Sequence, residues 1–169
     1  QQVRFTDGTV WSAATLAAMA LAASAGDDVI VGTAQADTLF GSAGDDRLLA
    51  LAGDDTLSGG AGDDWLLGGS GNDLYRFARG DGHDRIADTG GDADVLEFAT
   101  GVSSSDVLVQ QSADGLDFTL SIDGTNDRIF IENALTSGRI EQVRFPDGTI
   151  WTTDNLVERA STAGNDVLT

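Results

Sequence analysis

The chain has 169 residues, a formal net charge of −19 and no cysteine, and 41% of its residues are hydrophobic. This length suits one domain with pieces of others, and the apolar content is sufficient for a core. The absence of cysteine excludes disulfides, thiolate metal sites and cysteine nucleophiles. The strong negative charge argues against nucleic acid and anionic membranes as partners, because phosphates are bound by clustered basic residues.

The acidic residues are unevenly divided, with 24 Asp against 4 Glu, and all nine basic residues are Arg. Aspartate favours turns and offers hard oxygen ligands. The bias therefore indicates turns and hard cations rather than general solubility.

The first long predicted element is a helix over residues 13–25. It follows Ser12, a favourable N-cap, and carries Leu16, Met19 and Leu21. The stretch is too short to span a bilayer and lacks a preceding basic region, so we expect an amphipathic helix and no membrane insertion.

A nine-residue repeat organises residues 26–75. Six consecutive copies share the pattern G-x-D-x-U-x-G-G-x, in which U is a large apolar residue. The aspartate column contains Asp28, Asp37, Asp46, Asp55, Asp64 and Asp73. The U column contains Ile30, Leu39, Leu48, Leu57, Leu66 and Tyr75.

The nine-residue period fits a six-residue turn followed by a three-residue strand whose middle side chain points inward. Two units form one coil, so alternate aspartates fall on opposite edges. Like carboxylates in coils stacked about 4.8 Å apart repel by roughly 4 kcal/mol at an effective dielectric constant of about 20. Each row of aspartates therefore needs a cation between successive turns.

The ligands available in these turns are carboxylates and backbone carbonyls, which together favour Ca²⁺. Mg²⁺ prefers a smaller site that retains water. Zn²⁺ prefers His or Cys, and His83 is the one histidine in the chain. We interpret His83 as a plain loop residue.

The repeats resemble the RTX (haemolysin-type) calcium-binding nonapeptide, G-G-x-G-x-D-x-U-x. The resemblance implies a parallel β-roll with Ca²⁺ between turns, held by the aspartate column and by turn carbonyls. The turn glycines that would offer carbonyls are Gly26, Gly44, Gly53, Gly62 and Gly71. Weaker or distorted sites are expected where Gln35 replaces the third glycine and where residues 50–51 replace a Gly-Gly pair.

The number of predicted ions follows from the gaps between aspartates on each edge. The six column residues leave two gaps on each side, which predicts at least four Ca²⁺. Asp84 extends one edge by a further site. Asp94 and Asp81 are weaker metal candidates.

A second repeat has a period of about 140 residues. The segment Q-V-R-F-T-D-G-T-V-W at residues 2–11 recurs as Q-V-R-F-P-D-G-T-I-W at residues 142–151. This predicts one unit of a tandem array, in which residues 1–25 end the preceding unit and cap the roll. Residues 26–75 form the roll, residues 76–160 form a strand-rich region ending in a helix, and residues 161–169 begin the next roll.

Short strands are predicted over residues 95–98, 107–111, 118–122 and 128–131, followed by a strand pair around Pro-Asp-Gly over residues 140–151. A short helix runs from Thr153 or Asp154 to Ala160. This region resembles the one that commonly follows RTX repeats. The predicted fold class is therefore mainly all-β, a parallel β-roll with a strand-rich cap and one or two short helices.

The outward positions of one predicted sheet are too apolar to face water, and we expect them to be covered. These positions are Val29, Val31, Arg47, Leu49, Trp65 and Leu67.

No nucleophile–histidine set, phosphate loop or zinc-protease motif is visible, which predicts a protein that is not an enzyme. The RTX resemblance implies type I secretion and folding outside the cell on Ca²⁺. The long duplication favours a stalk or biofilm adhesin with neighbouring units as partners. Two alternatives stay open: the calcium-dependent folding domain of a secreted protease, lipase or epimerase, and a lectin-like module, which would need an exposed aromatic cleft outside the roll.

Overall fold

The computed structural model describes residues 2–4, 6, 10–12, 23–135 and 140–163. Most of the helix predicted over residues 13–25, and the roll expected to begin near residue 164, lie outside the described residues. Residues 23–25, which are described, are not helical. No described helix is long and apolar enough to cross a membrane.

Three β-sheets contain the described strands, which are numbered here in chain order. A two-stranded sheet pairs β1 (Gln2–Arg4) with β2 (Val10–Ser12). Sheet I has the order β11 (Val107–Gln111), β12 (Phe118–Ile122), β13 (Arg128–Ile131), β9 (His83–Ala87), β7 (Trp65–Ser70), β5 (Arg47–Ala52), β3 (Val29–Val31). Sheet II has the order β15 (Ile150–Thr152), β14 (Gln142–Arg144), β10 (Val95–Phe98), β8 (Leu74–Phe77), β6 (Thr56–Ala61), β4 (Thr38–Ala43).

The repeats form a parallel β-solenoid, because successive strands alternate between sheets I and II. In sheet I the U-column residues of β3, β5 and β7 pair in register with one another. In sheet II those of β4, β6 and β8 do the same. All six U-column side chains point between the sheets, with exposed fractions of 5% or less. The predicted β-roll and its apolar interior are confirmed.

The strands of the roll are longer than the three residues predicted. Strands β4 to β7 each have six residues, because the parallel ladder continues beyond the U position and through the Gly-Gly pair of the motif. The second residue of that pair is left-handed in all four strands, at Ser42 (φ 84°), Leu51 (φ 83°), Gly60 and Gly69. Glycine adopts this conformation without strain, whereas Ser42 and Leu51 are held in it by the ladder on both sides.

The region after the repeats extends the two sheets of the roll. Strand β9 adds to β7 and β10 adds to β8, both in parallel. Strand β13 then pairs with β9, and the antiparallel strands β12 and β11 complete sheet I. The four strands predicted after the repeats occur with the predicted bounds. Helix α1 (Thr153–Ala163) starts as predicted and ends three residues later than Ala160.

The 140-residue duplication in sequence is also a duplication of local structure. Strands β1 and β2 form an antiparallel hairpin in which Val3 pairs with Trp11. Strands β14 and β15 form the same hairpin, with Val143 opposite Trp151. The two copies therefore share one register, and among the described strands the second copy pairs with the solenoid, through β10.

An aromatic cluster packs the second hairpin onto the end of the core. Phe98 lies 5.1 Å from Phe145 and 6.1 Å from Phe77, centroid to centroid, and Phe145 lies 4.6 Å from Trp151. Arg159 of α1 lies over the Trp151 ring at 3.8 Å. Trp151 is buried, which is consistent with packing rather than sugar stacking.

Described residues cover part of the outer face of sheet I. Trp65 and Leu49 are half-buried, and Trp65 lies between Arg47, 4.0 Å from its centroid, and Arg85 at 5.6 Å. Val29 and Val31 are 71% and 51% exposed. Within the described ranges no layer covers these valines, and residues 13–22 of the predicted helix, one of the expected covers, lie outside those ranges. At Trp65, arginine side chains provide the cover.

The buried U-column side chains should contribute most to the free energy of unfolding. Leu57→Ala removes a fully buried side chain from β6 and should lower the unfolding free energy by about 2–5 kcal/mol. Leu108→Ala makes the same chemical change at a position that is 61% exposed, and should cost about 0.5 kcal/mol or less. Urea unfolding in saturating Ca²⁺ measures both; equal losses would contradict the assignment of the core.

Candidate metal centre

Two rows of aspartates run along opposite edges of the solenoid, each at the amino ends of the strands of one sheet. File 1 lies beside sheet I and contains Asp28, Asp46, Asp64 and Asp84. File 2 lies beside sheet II and contains Asp37, Asp55, Asp73 and Asp94. The structure therefore places Asp84 and Asp94 in line with the nonapeptide columns, Asp94 as fully as Asp84.

A ladder of hydrogen bonds aligns the carboxylates within each file. The Oδ1 atom of each aspartate after the first accepts from the main-chain N–H of the aspartate one coil earlier, at 2.7 to 3.2 Å. The steps are 18 residues inside the repeats, 20 from Asp64 to Asp84 and 21 from Asp73 to Asp94. One carboxylate oxygen of each residue is thus fixed by the neighbouring coil.

The second oxygen of most of these carboxylates is buried and has no hydrogen-bond partner. This holds for Oδ2 of Asp46, Asp55, Asp64, Asp73 and Asp84. These residues are only 1–3% exposed. A buried ionised oxygen without a partner is costly, so five of them stacked in two files require a common compensating charge.

The first aspartate of each file is satisfied differently. Oδ2 of Asp28 accepts from both the main-chain N–H and the hydroxyl of Ser24, each at 2.8 Å. Oδ2 of Asp37 accepts from the corresponding groups of Thr33, at 2.6 and 2.7 Å. The unpartnered oxygens therefore begin only at the second coil.

Glycines line the space into which the free oxygens point. A Cβ added at Gly41, Gly59 or Gly68 would overlap Oδ2 of the file aspartate at the end of the same turn. A Cβ on Gly41 would also overlap the carbonyl oxygen of Gly59 in the next coil. Each space thus presents carboxylate and carbonyl oxygens and no nitrogen or sulfur ligand, a donor set that fits Ca²⁺.

The turn glycines predicted to offer carbonyls lie in these turns. Four have positive φ angles, namely Gly44, Gly53, Gly62 and Gly71. The carbonyl oxygens of Gly44, Gly53 and Gly62 face the glycine of the next turn on the same edge, and Gly26 lies against Gly44. Their role as ligands stays a prediction.

The acids that precede the file residues have another role. Oδ1 of Asp27, Asp45, Asp54 and Asp63 each accepts a main-chain N–H from the following coil, at 2.8 to 3.1 Å. These residues are exposed. They link successive turns, as expected for turn stabilisers.

Two other predicted or considered residues lie outside the files. Asp81 accepts from the N–H of Ala78 at 2.7 Å, within the turn that precedes β9. His83 is the first residue of β9 rather than a loop residue, because the ladder with β13 begins at this position. It is exposed, with Nδ1 3.4 Å from Oδ1 of Asp63.

Sequence reasoning missed two acids that the structure brings to file 2. Oε2 of Glu141 accepts from the N–H of Asp94 at 2.6 Å, and so continues the ladder by one step. Asp88 joins Asp73 and Asp94 in a buried cluster whose ligand oxygens all lie within 4.8 Å of one another. The sequence feature that could have identified Glu141 is its position directly before β14, because most file aspartates also lie directly before a strand.

Burial raises the pKa of the file carboxyls, and repulsion between neighbouring carboxylates adds to the effect. The pKa of Asp64 and of Asp94 rises to about 6, that of Asp73 to about 7 and that of Asp84 to about 8. Burial also raises the pKa of Asp46 and Asp55, while the main-chain N–H bonds oppose the increase. Protons are therefore the competitors of any cation in the files.

Comparisons with known proteins agree with this geometry. Residues 22–57 and 40–75 match the RTX calcium-binding nonapeptide repeat, and residues 117–155 match the haemolysin-type calcium binding protein related domain. These are calcium-binding repeats and not a catalytic domain. A comparison with curated proteins finds no match.

Two solved structures from Azotobacter vinelandii are similar to this chain. The AlgE6R3 subunit of the mannuronan C5-epimerase is 31% identical, with a TM-score of 0.49, over 66% of this chain and 75% of that one. The AlgE6R2 subunit is 28% identical, with a TM-score of 0.43, over 62% of this chain and 83% of that one.

The raised pKa values predict that protonation of the file carboxyls partly substitutes for a bound cation in stabilising the fold. A carboxyl with a raised pKa in the fold binds its proton more tightly there than in the unfolded chain. Acidic pH therefore stabilises the metal-free fold, and this stabilisation is lost as pH rises through about 6 to about 8. Circular dichroism in EGTA should show more ordered β-structure toward pH 6, and Asp84→Asn should flatten the upper part of the profile. Order that increases with pH would contradict the prediction.

Proposed function

This chain belongs to the RTX calcium-binding nonapeptide repeat family, and from that premise we propose that it is a structural module of a secreted or cell-surface protein that folds and stiffens on Ca²⁺. The observation that carries the proposal is the set of five buried Oδ2 atoms without partners, aligned in two files. In the part of the chain that the structure describes, no donor bonds to them, and a divalent cation between turns would compensate their charge in each file.

In this proposal the two oxygens of each file carboxylate have different roles. The Oδ1 atoms hold the carboxylates in place through the amide ladder, and the Oδ2 atoms are left for the ion. Bound Ca²⁺ neutralises two carboxylates and links two coils, so that binding free energy becomes folding free energy. The six column aspartates leave four gaps, and Asp84 and Asp94 add one gap to each file, so the proposed number of Ca²⁺ ions is six.

The proposed setting is outside the cell. Extracellular calcium modules work at Kd values of about 10⁻⁴ to 10⁻³ M, so the chain stays loose where calcium is scarce and becomes rigid after export. The identical register of the two hairpins, 140 residues apart, supports a tandem array in a stalk or an adhesion protein, with neighbouring units as partners. In this proposal the module is structural and not catalytic.

Calcium should therefore control the fold itself. Circular dichroism during a Ca²⁺ titration should show a gain of β-structure, and EGTA should reverse it, because the files repel when they are empty. Mg²⁺ at the same concentration is the control and should produce a much smaller change, since it prefers an octahedral site that retains water. A fold that is equally complete in EGTA at neutral pH would refute the proposal.

A second candidate function, the binding of an anionic polymer, is favoured by one observation. An open cleft of about 380 Å³ lies on sheet I and is lined by His83, Asp84, Arg85, Thr119, Arg128 and Phe130. The Arg85 guanidinium lies 5.6 Å from the centroids of both Trp65 and Phe130. Arginines beside aromatic rings suit carboxylated sugars, and the half-buried Phe130 is the aromatic ring that this cleft offers beyond the nonapeptide repeats. Arg85 also forms an ion pair with Glu132, so Arg128 is the arginine that the proposal assigns to the polymer.

Binding of a soluble polyuronate, measured by calorimetry in saturating Ca²⁺, tests this function. Arg128→Gln at the cleft should weaken affinity about tenfold, because one charge-assisted contact is lost. Arg144→Gln is the matched control, since Arg144 lies in β14 of sheet II and bonds Gln142. A neutral polysaccharide should not bind. The function is excluded if the wild-type chain does not bind the polyuronate, or if both variants weaken binding equally.

A further inference from the structure

We propose that Asp73, Asp88 and Asp94 form a three-carboxylate Ca²⁺ site at the end of file 2, and that it binds Ca²⁺ more tightly than the gaps within the nonapeptide repeats. This inference rests on the proposed function, namely that the files hold Ca²⁺. It adds a ligand, Asp88, that lies outside the aspartate column and outside the repeat motif.

The distances suit one ion. A Ca²⁺ about 2.4 Å from each of two oxygens can join atoms that are up to about 4.8 Å apart. The ligand oxygens of the three aspartates all lie within 4.8 Å of one another. All three side chains are at least nine-tenths buried, with exposed fractions of 1%, 6% and 1% in chain order.

A second and independent observation points to a ligand there. Oδ2 of Asp73 is buried and has no hydrogen-bond partner. A Cβ added at Gly68 would overlap both this oxygen and the Tyr75 hydroxyl, so the two atoms face one small space. Because the Tyr75 hydroxyl donates to Asp88, the free oxygen of Asp73 points into the cluster.

Asp88 occupies the place that Gly32, Gly41, Gly59 and Gly68 hold elsewhere in the solenoid, and that Ala50 holds in one repeat. The β7–β9 pairing places it level with Gly68, one residue beyond the pair of Leu67 and Ala87. At Gly68 a side chain would collide with the carboxylate of Asp73. The turn from Asp88 to Asp94 has one residue more than the turn that ends at Asp73, and this makes room for a carboxylate in place of a hydrogen.

Tyr75 acts as a positioning residue for Asp88. It is the single tyrosine of the chain and stands in the U column, where the other five copies have Ile or Leu. Its hydroxyl donates to Oδ2 of Asp88 at 2.6 Å, and the N–H of Gly90 donates to Oδ1 at 3.1 Å. These two bonds hold the Asp88 carboxylate in place, with an oxygen within 4.8 Å of the ligand oxygens of Asp73 and Asp94.

The number of carboxylates sets the expected order of affinity. A gap inside the repeats offers the carboxylates of two file residues, whereas this site offers three. Calcium affinity rises with the charge of the ligand set and the rigidity of the site. We therefore expect this site to fill first in a titration.

Calorimetric Ca²⁺ titration of the full chain, with Asp88→Gly as the central variant, tests the proposal. Asp88→Gly restores the glycine of the repeat motif, and Asp88→Asn preserves the volume if the glycine variant fails to fold in Ca²⁺. Each should weaken the tightest class of site about tenfold or more and leave the other classes unchanged. Tyr75→Phe should weaken that same class by a smaller factor. Asp92→Asn is the matched control, because it removes one charge from an exposed residue of the same turn.

The outcomes separate this proposal from the one on which it rests. If the wild-type chain binds no Ca²⁺, the proposed function itself fails. If Ca²⁺ binds but the Asp88 variants keep the tightest class, or if Asp92→Asn weakens it equally, the three-carboxylate site is refuted. Tb³⁺ provides a second readout: emission sensitised by tyrosine should be lost in Asp88→Asn and retained in Asp92→Asn.

Discussion

The buried carboxylate with one bonded and one free oxygen is the interaction on which this structure depends. The bonded oxygen ties each coil to the one before it, and so the stacking of coils and the alignment of charges have one cause. The same bonds that build the solenoid also concentrate negative charge along its edges. A fold that could be held by its apolar interior alone would have no need for aspartate at these positions, because a neutral side chain could make the same amide contact.

The glycines follow from the same constraint. At Gly41 and Gly59 the backbone conformation does not demand glycine, but a Cβ would occupy the space of the carboxylate. At Gly60 and Gly69 the left-handed backbone favours it. The motif thus contains two kinds of glycine, one that makes space for an ion and one that bends the chain. Leu51 replaces the second kind at the cost of strain, while Ala50 and Asp88 stand at positions of the first kind.

Much of the solenoid and of the two aspartate files could be predicted from sequence, because the nine-residue period is strict. The column aspartates from Asp28 to Asp73 recur every nine residues, so the position of these residues in one coil gives their position in every coil. The strands at Val95–Phe98 and Arg128–Ile131 were predictable from their own β-branched and apolar residues. Prediction failed where the period breaks. The step from Asp73 to Asp94 is 21 residues, so the register of Asp88 depends on pairing between β7 and β9, which sequence alone does not reveal. The cover over the outer face at Val29 could not be predicted either, because apolar character does not say what lies opposite.

The satisfied oxygens of Asp28 and Asp37 give each file a direction. The Ser24 and Thr33 hydroxyls donate to Oδ2 in the first coil, whereas Oδ2 of the next file residues, Asp46 and Asp55, has no partner. The need for a compensating positive charge therefore begins at the second coil. The two ends of the solenoid are thus chemically unlike, and a tandem array of such units would repeat this asymmetry in the same direction along the chain.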